Sequence, residues 1–390
     1  MTHQKESKFF LRSIALPQQG VSHLPRLYST KDKLHMSWVE EEDSLSILKY
    51  AWFENDTWSI PKTVTSGTNW FINWADFPSL SVNGDKVLAN ILEKSAEGTY
   101  DYDIKLSVFD TLSRKRSRNS NILLNTDGIA AEHGFVSSKP YNDGFSVSWL
   151  DGRNTKNKDR YKNQMTLRNA FVTAEGVITK ETELDARVCD CCSTATAITE
   201  NGPIVVYRDR TSTEEEIRDI SIVRYVDGVW TKPTPIAHDD WKLNGCPVNG
   251  PAMDTQGMNV VVSWFTAQGE TPRVMVAFST DAGESFQNPI RLDSGNAIGR
   301  VGAQFLKDGN ALVSWLEPQD DKTALKITKV NTNRIFSNPI TVSNISAERQ
   351  SGFPQLAVVD NQVYIAFTML QNDSSKVEMV SFSLVDSTLH

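Results

Sequence analysis

The chain has 390 residues, a net charge of −8 and a hydrophobic fraction of 39% that includes 10 Trp and 17 Phe. This composition supports a sizeable core, and the charge excludes nucleic acid and anionic membranes as predicted partners because no basic stripe is present. The basic run Arg114–Arg118 falls in an apparent loop. No segment approaches the roughly 18 apolar residues of a membrane span, and the first residues lack a signal-peptide core, so we predict neither.

Strand signals run along the whole chain. Short runs rich in Val, Ile, Phe, Tyr and Trp alternate with Gly, Asn and Asp turns, which is typical of an all-β protein. The strand pairs repeat: a Pro or small residue in a first strand is followed thirteen positions later by a hydrophobic, usually aromatic, residue in a second strand. The seven pairs are Pro25 and Trp38, Pro78 and Ile91, Val136 and Trp149, Thr194 and Tyr207, Pro251 and Trp264, Gly302 and Trp315, and Pro354 and Phe367.

Each repeat continues with a third and a fourth strand, for example Ser46–Phe53 and Lys62–Ser66 in the first. The seventh ends at Lys376–Leu384 with only three strands, and Phe9–Leu16 can supply the fourth. We therefore predict a single domain over residues 1–390, a seven-bladed β-propeller closed by its N-terminal strand. A six-bladed propeller is the alternative if the second repeat, which has Ile91 in place of an aromatic residue, is irregular.

Two motifs carry a resemblance to a known family. Ser279–Phe286 reads S-T-D-A-G-E-S-F, and the turns at Asp56–Trp58 and Asp227–Trp230 are degenerate copies of it. This motif resembles the Asp box of sialidase-like propellers. The run Cys189–Cys192 and the later segment Asn244–Pro247 are similar to those of a bacterial subgroup of secreted sialidase-like proteins that carries a CxCC run.

The resemblance implies a propeller fold and an Asp box that forms a structural turn away from the active site. It also implies a periplasmic, secreted or cell-surface location in preference to the cytoplasm. True sialidases of this kind have six blades, an arginine triad, a Tyr/Glu nucleophile pair and an Asp acid. We assign that set to no residues of this chain.

The loops that lead into the first strands, here called the axial loops, should meet at one end of the propeller axis. All four cysteines and two of the six histidines fall in such loops. These residues are Cys189, Cys191, Cys192, Cys246, His133 and His23. We predict that they meet in an axial funnel.

Three interpretations of the cysteines stay open. Thiolates with His133 or His23 suit a soft transition metal, copper or zinc, with Asp190 as a further ligand or as a base to His133. Disulfides would instead pin the fourth repeat to the fifth, although a bond between the adjacent Cys191 and Cys192 would be strained. Inert, buried thiols are the third interpretation.

Carboxylates recur two residues after the second-strand anchors, at Glu40, Glu93, Asp151, Asp209 and Glu317. Carboxylate pairs suit glycoside cleavage, and arginines suit an anionic sugar. Asp76, Asp209, Arg208 and Arg300 are therefore our candidate catalytic residues. The alternative is that such carboxylates are solvated or salt-bridged and purely structural.

Two functional hypotheses follow. The first is an extracytoplasmic propeller whose Cys/His funnel binds copper, or else zinc, for redox chemistry or metal handling. The second is a glycan-directed propeller, a hydrolase or a glycan-binding protein, with the cysteines in disulfides. In both, a small molecule or glycan occupies the axial funnel. The sequence does not decide whether the protein is an enzyme.

Overall fold

The computed structural model describes residues 10–111, 119–159, 161–211, 215–371 and 374–385. Seven small antiparallel sheets form a seven-bladed β-propeller, which confirms the predicted fold and excludes the six-bladed alternative. The only helical segments in these ranges are the short 3-10 turns Gln268–Glu270 and Arg349–Ser351. No helix among the described residues has the length and apolar character of a membrane span. The run Arg114–Arg118 and residue Phe9 lie outside the described ranges.

The strands follow in chain order. The first is β1 (Arg12–Ser13), which belongs to the last blade. Blade one contains β2 (Val21–Ser29), β3 (Leu34–Glu42), β4 (Leu45–Glu54), β5 (Thr57–Trp58) and β6 (Lys62–Gly67). Blade two contains β7 (Leu80–Asn83), β8 (Lys86–Lys94), β9 (Tyr102–Asp110) and β10 (Asn119–Leu123). Blade three contains β11 (His133–Tyr141), β12 (Gly144–Asp151), β13 (Thr166–Val172) and β14 (Ile178–Asp185).

The second half repeats this plan. Blade four contains β15 (Ala195–Thr199), β16 (Gly202–Arg208), β17 (Ile220–Val226), β18 (Val229–Trp230) and β19 (Thr234–Pro235). Blade five contains β20 (Ala252–Gln256), β21 (Asn259–Thr266), β22 (Arg273–Ser279) and β23 (Ile290–Arg291). Blade six contains β24 (Gly299–Phe305), β25 (Ala311–Gln319), β26 (Lys322–Val330) and β27 (Ile340–Ile345). Blade seven contains β28 (Gln355–Val359), β29 (Gln362–Gln371) and β30 (Ser374–Ser383).

The thirteen-residue repeat is the pairing register of the first two strands of each blade. In blade four Ala195 pairs with Val206, which places Thr194 opposite Tyr207. The other blades follow the same register, except blade six, where Gly302 pairs with Ser314 one residue away from its predicted partner. The thirteen-residue spacing in the sequence therefore reflects which residues of the first two strands lie opposite each other.

The second-strand anchors form the core between blades. Trp38, Trp149, Trp264 and Trp315 are completely buried. Trp38 packs in a cluster that also contains Met379 of the neighbouring blade seven. A buried aromatic residue of this size contributes about 3–5 kcal/mol relative to alanine, so these residues hold the blades together.

The ring closes through the N-terminus, as predicted. Strand β1 pairs with β30, with Arg12 opposite Ser381 and Ser13 opposite Val380. Among the described residues, β1 covers two residues and is shorter than the predicted strand Phe9–Leu16. The pairing covers the outer edge of blade seven and joins the two ends of the chain.

The Asp-box segment forms the turn after β22. The hydroxyl of Ser279 donates to Asp281 at 2.6 Å, and the backbone N–H of Ser285 donates to the same carboxylate at 2.9 Å. Gly283 has a φ of +81°, which favours glycine. These bonds fold the turn on the outside of blade five, so the motif is structural.

Candidate functional site

The inner strands surround an axial cavity of about 340 Å³, which contains Arg26, Lys139 and Asp254 among its lining residues. The axial loops lie at one end of this cavity. Two groups of side chains meet there: a carboxyl cluster from blades two and three, and a cysteine cluster from blades four and five.

The carboxyl cluster consists of Asp76, Tyr102 and Glu132. The hydroxyl oxygen of Tyr102 lies 3.0 Å from Oδ2 of Asp76 and 3.0 Å from Oε1 of Glu132. A tyrosine hydroxyl has one proton, so both contacts are hydrogen bonds only when one carboxyl group is protonated and donates to the tyrosine oxygen. The geometry therefore favours a proton shared within this cluster.

Local structure fixes the cluster. The backbone N–H of Phe135 donates to Oδ1 of Asp76 at 2.6 Å. Any side chain at Gly134 would place its Cβ 1.9 Å from Oδ2 of Asp76, so the close approach requires glycine. The Tyr102 ring stacks on Phe71 with centroids 4.2 Å apart, which orients the hydroxyl. Asp76 and Tyr102 are buried, whereas Glu132 is only partly buried and is the member that a ligand can reach.

The electrostatics agree with a shared proton. Burial raises the pKa of Asp76 to about 7, against smaller opposing effects of its hydrogen bonds. Burial, and then the charge of Asp76, raise the pKa of Glu132 to about 8. The charges of Asp190 and Cys246 make smaller contributions in the same direction. Glu132 therefore retains its proton at neutral pH and can act as an acid.

The cysteine cluster lies in the loop before β15. Sγ of Cys189 is 3.8 Å from Sγ of Cys191 and 3.7 Å from Sγ of Cys192. The three sulfur atoms all lie within 4.8 Å of one another. None of the four cysteines forms a disulfide. The prediction that the cysteines come together is confirmed, but the pairing in disulfides is not.

Cys246 joins the cluster from blade five. A thiol contact with Cys191 lowers the pKa of Cys246, and contacts with Cys191 and Cys192 hold the pKa of Cys189 well below its usual range. The pKa of Cys191 is raised by its contacts with the other three thiols. The pKa of each of these three thiols thus depends on its cysteine neighbours.

His133 and His23 lie apart from the thiols. Nε2 of His133 is 3.2 Å from Asp127 and 3.7 Å from Asp151, whereas its Nδ1 faces backbone carbonyls. Although burial lowers the pKa of His133, the two carboxylates leave it raised. Arg153 contacts the same carboxylates, so fixed cations already balance them. His23 lies 3.5 Å from Glu41. The cysteine group contains neither histidine, and their predicted ligation of copper or zinc stays a prediction.

Arg208 and Arg300 are tied into the scaffold. Arg208 donates to the carbonyl oxygens of Asn249, Arg218 and Phe265, and its guanidinium lies 5.0 Å from the Trp241 ring. Arg300 donates to Ser351 and to three backbone carbonyls between residues 347 and 352. Through these hydrogen bonds, Arg208 joins blade four to blade five and Arg300 joins blade six to blade seven. Their role in binding substrate stays a prediction.

The repeated carboxylates are also structural in part. Glu40, Asp151 and Glu317 each accept a hydrogen bond from the indole N–H of the tryptophan two residues earlier, at 2.8 to 2.9 Å. Asp209 instead accepts from Ser221 at 2.7 Å, and burial raises its pKa to about 7. Asp209 is 6% exposed, so its predicted catalytic role would require access that its surroundings restrict.

Sequence reasoning missed Tyr102 and Glu132. Glu132 directly precedes His133 in an axial loop, so its position held a usable signal. Tyr102 begins β9 and meets Glu132 through an isolated parallel bridge between blades two and three. That contact lies outside the repeat and is visible only in three dimensions.

Neither a protein-family description nor a curated protein matches this chain. Among solved structures, it is similar to an ulvan lyase from a new family of polysaccharide lyases, bound to a glucuronic acid–sulfated rhamnose unit (TM-score 0.58, 9% identity, 96% of both chains). It is also similar to the endosialidase of phage phi92 (TM-score 0.54, 11% identity, 98% of this chain and 70% of that one). A puromycin-hydrolyzing peptidase of Mycobacterium tuberculosis is similar too (TM-score 0.52, 10% identity, 95% and 52%). At these identities the likeness establishes the propeller fold alone.

Proposed function

We propose that this protein is a glycan-directed propeller that binds an acidic glycan at the axial-loop end and cleaves it with Glu132 as the proton donor. The observation that carries this proposal is the carboxyl pair bridged by Tyr102, with Glu132 as its accessible member. Cleavage of a glycosidic bond needs a carboxyl group that keeps its proton at neutral pH, and the raised pKa of Glu132 meets this need.

A second carboxyl group lies in the axial loop of the neighbouring blade four. Asp190 lies in the cysteine loop, its side chain is 45% exposed, and its carboxylate is 3.8 Å from Arg210 and 3.9 Å from Arg218. The two carboxyl groups belong to axial loops of neighbouring blades, and the charge of Asp190 contributes to the raised pKa of Glu132. In hydrolysis, Glu132 would protonate the leaving oxygen and Asp190 would serve as base or nucleophile.

The preference for an acidic glycan has two supports. Arg349 is exposed in the axial loop of blade seven, 6.0 Å from the Trp74 ring, and offers a guanidinium to a sugar carboxylate or sulfate. Two proteins of similar fold are described as an endosialidase and as an ulvan lyase with a bound uronic acid unit. A periplasmic, secreted or cell-surface location would give access to such polymers, and we propose it on that basis.

The test is a screen of polysaccharides that contain uronic acid, sialic acid or sulfate, with neutral polysaccharides as controls. Binding is measured by calorimetry, hydrolysis by new reducing ends and elimination by unsaturated uronate. We expect binding and product formation with at least one acidic polymer and with no neutral one. Failure to bind any acidic polymer would contradict the proposal.

A further inference from the structure

The cysteine cluster has the spacing of a metal site. The sulfur atoms of Cys189 and Cys191 are 3.8 Å apart, and those of Cys189 and Cys192 are 3.7 Å apart. A tetrahedral ion with metal–sulfur bonds of about 2.3 Å sets its sulfur ligands about 3.8 Å from one another. A disulfide requires a separation of about 2.05 Å. The thiols are therefore arranged around a common centre and not as a bonded pair.

The fourth thiol comes from the neighbouring blade. Cys246 lies in the axial loop of blade five and is exposed, whereas the three sulfur atoms within 4.8 Å of one another are those of Cys189, Cys191 and Cys192. The two loops are locked together next to the cluster, because a Cβ at Gly250 would lie 2.1 Å from the carbonyl oxygen of Ser193. The blade-four loop thus holds three thiols on a fixed frame, and the blade-five loop carries the exposed Cys246.

The surroundings balance the negative charge of such a site. Arg218 is 4% exposed, and its Nη1 has no hydrogen-bond partner among the described residues. That atom lies 3.9 Å from Asp190, which stands between Cys189 and Cys191 in the chain. Arg210 approaches the same carboxylate at 3.8 Å. Several thiolates around one ion carry net negative charge, and a buried guanidinium beside them stabilises it.

We propose that Cys189, Cys191 and Cys192 bind one thiophilic d10 cation, Zn²⁺ or Cu⁺, and that Cys246 moves in from the blade-five loop to complete the site. Sulfur ligands select these two ions among the common metals. The ion joins the axial loops of blades four and five and releases thiol protons on binding, with no change in oxidation state. This inference stands on the sulfur geometry and does not rest on the proposed action on glycans, although Asp190 lies in the same loop.

The experiment measures metal content in the full chain purified under argon with reductant. The metal-free protein is then titrated with Zn²⁺ alone and with Cu⁺ alone, followed by elemental analysis and thermal unfolding. We expect about one ion per chain and a higher Tm on loading. The ion that is retained against a chelator identifies the native metal.

Three variants sharpen the test. Cys191→Ser should lose the bound ion, and Cys246→Ser, which changes an exposed residue and should fold normally, should weaken binding by about tenfold or more. Ser193→Ala keeps all four thiols and should bind as the wild type does. Wild-type protein that takes up neither ion, or Cys246→Ser protein that binds as tightly as the wild type, would overturn the proposal. Metal loss with intact glycan cleavage, or the reverse, separates this inference from the proposed function.

Discussion

Two groups of carboxyl groups at the axial-loop end differ in their partners. The first group, Glu40, Asp151 and Glu317, belongs to the repeat, and each member accepts from a buried indole N–H. The second group, Asp76 and Glu132, comes from irregular loops and shares the hydroxyl of Tyr102.

The pKa of Asp151 moves in the opposite direction from those of Asp76 and Glu132. Burial raises the pKa of Asp151, but hydrogen bonds from Arg153 and nearby cations leave it lowered. Burial raises the pKa of Asp76 to about 7 and that of Glu132 to about 8. The charge of Asp151 is thus balanced by the scaffold, whereas Asp76 and Glu132 keep a proton available for chemistry.

The largest expected difference between the two groups is in turnover, when one glutamate of each group is replaced by glutamine. Glu132→Gln removes the proposed acid, and we expect turnover of an acidic glycan to fall by about 100-fold or more. Glu317→Gln keeps an acceptor for the Trp315 indole and should leave turnover within about twofold of the wild type. Initial rates with both variants test this. Equal losses in the two would remove the distinction between the groups.

Replacing one aspartate of each group by asparagine should change the free energy of unfolding in opposite directions. At pH 8, Asp151→Asn breaks the charge pair with Arg153 and should lower the free energy of unfolding by about 3 kcal/mol. Asp76→Asn replaces a carboxylate that the fold holds against its preference for ionisation, so it should raise the free energy of unfolding by about 1 kcal/mol.

The stability effects of Asp76→Asn and Asp151→Asn should depend on pH in opposite ways. The folded pKa of Asp76 is raised, so its ionisation reduces stability as pH rises from about 4 to about 7, and the gain in Asp76→Asn should disappear at pH 4. The folded pKa of Asp151 is lowered, so its contribution is present above its unfolded pKa and is lost as pH falls through the folded value. Urea unfolding at pH 4 and pH 8 measures both. A stability loss in Asp76→Asn at pH 8 would contradict the account.

The pH profile of activity should move in Asp76→Asn. Turnover requires protonated Glu132 and should fall as pH rises through about 8. The groups acting on Glu132 are Asp76, Tyr102, Asp190 and Cys246. Because the charge of Asp76 raises the pKa of Glu132, its removal should shift the alkaline limb to lower pH. An unchanged limb would exclude Asp76 as a positioning residue.

The smallest effect is expected from Tyr102→Phe. The ring still packs on Phe71, so we expect a loss of only about 1 kcal/mol in stability. The tyrosine hydrogen bond lowers the pKa of Glu132, so its removal should move the alkaline limb to higher pH, opposite to Asp76→Asn. A shift in the same direction for both variants would contradict the shared-proton geometry.

The fold could be predicted from sequence because the thirteen-residue spacing is a pairing register that local geometry imposes. Even the irregular second repeat, with Ile91 as anchor, forms its own sheet. The meeting of the cysteines was also predictable, since axial loops converge in any propeller. The direction of side chains was not. The Arg208 side chain donates to backbone carbonyl oxygens, and the His133 side chain contacts Asp127. Neither contact can be deduced from the spacing of residues in the sequence.

The most direct test is a crystal structure of the Glu132→Gln variant with an oligosaccharide fragment of an acidic polymer that the protein binds. The account predicts a sugar chain across the axial-loop end, with a glycosidic oxygen within hydrogen-bond distance of residue 132. A fragment bound at the opposite end of the axis, or on the outer strands, would contradict it.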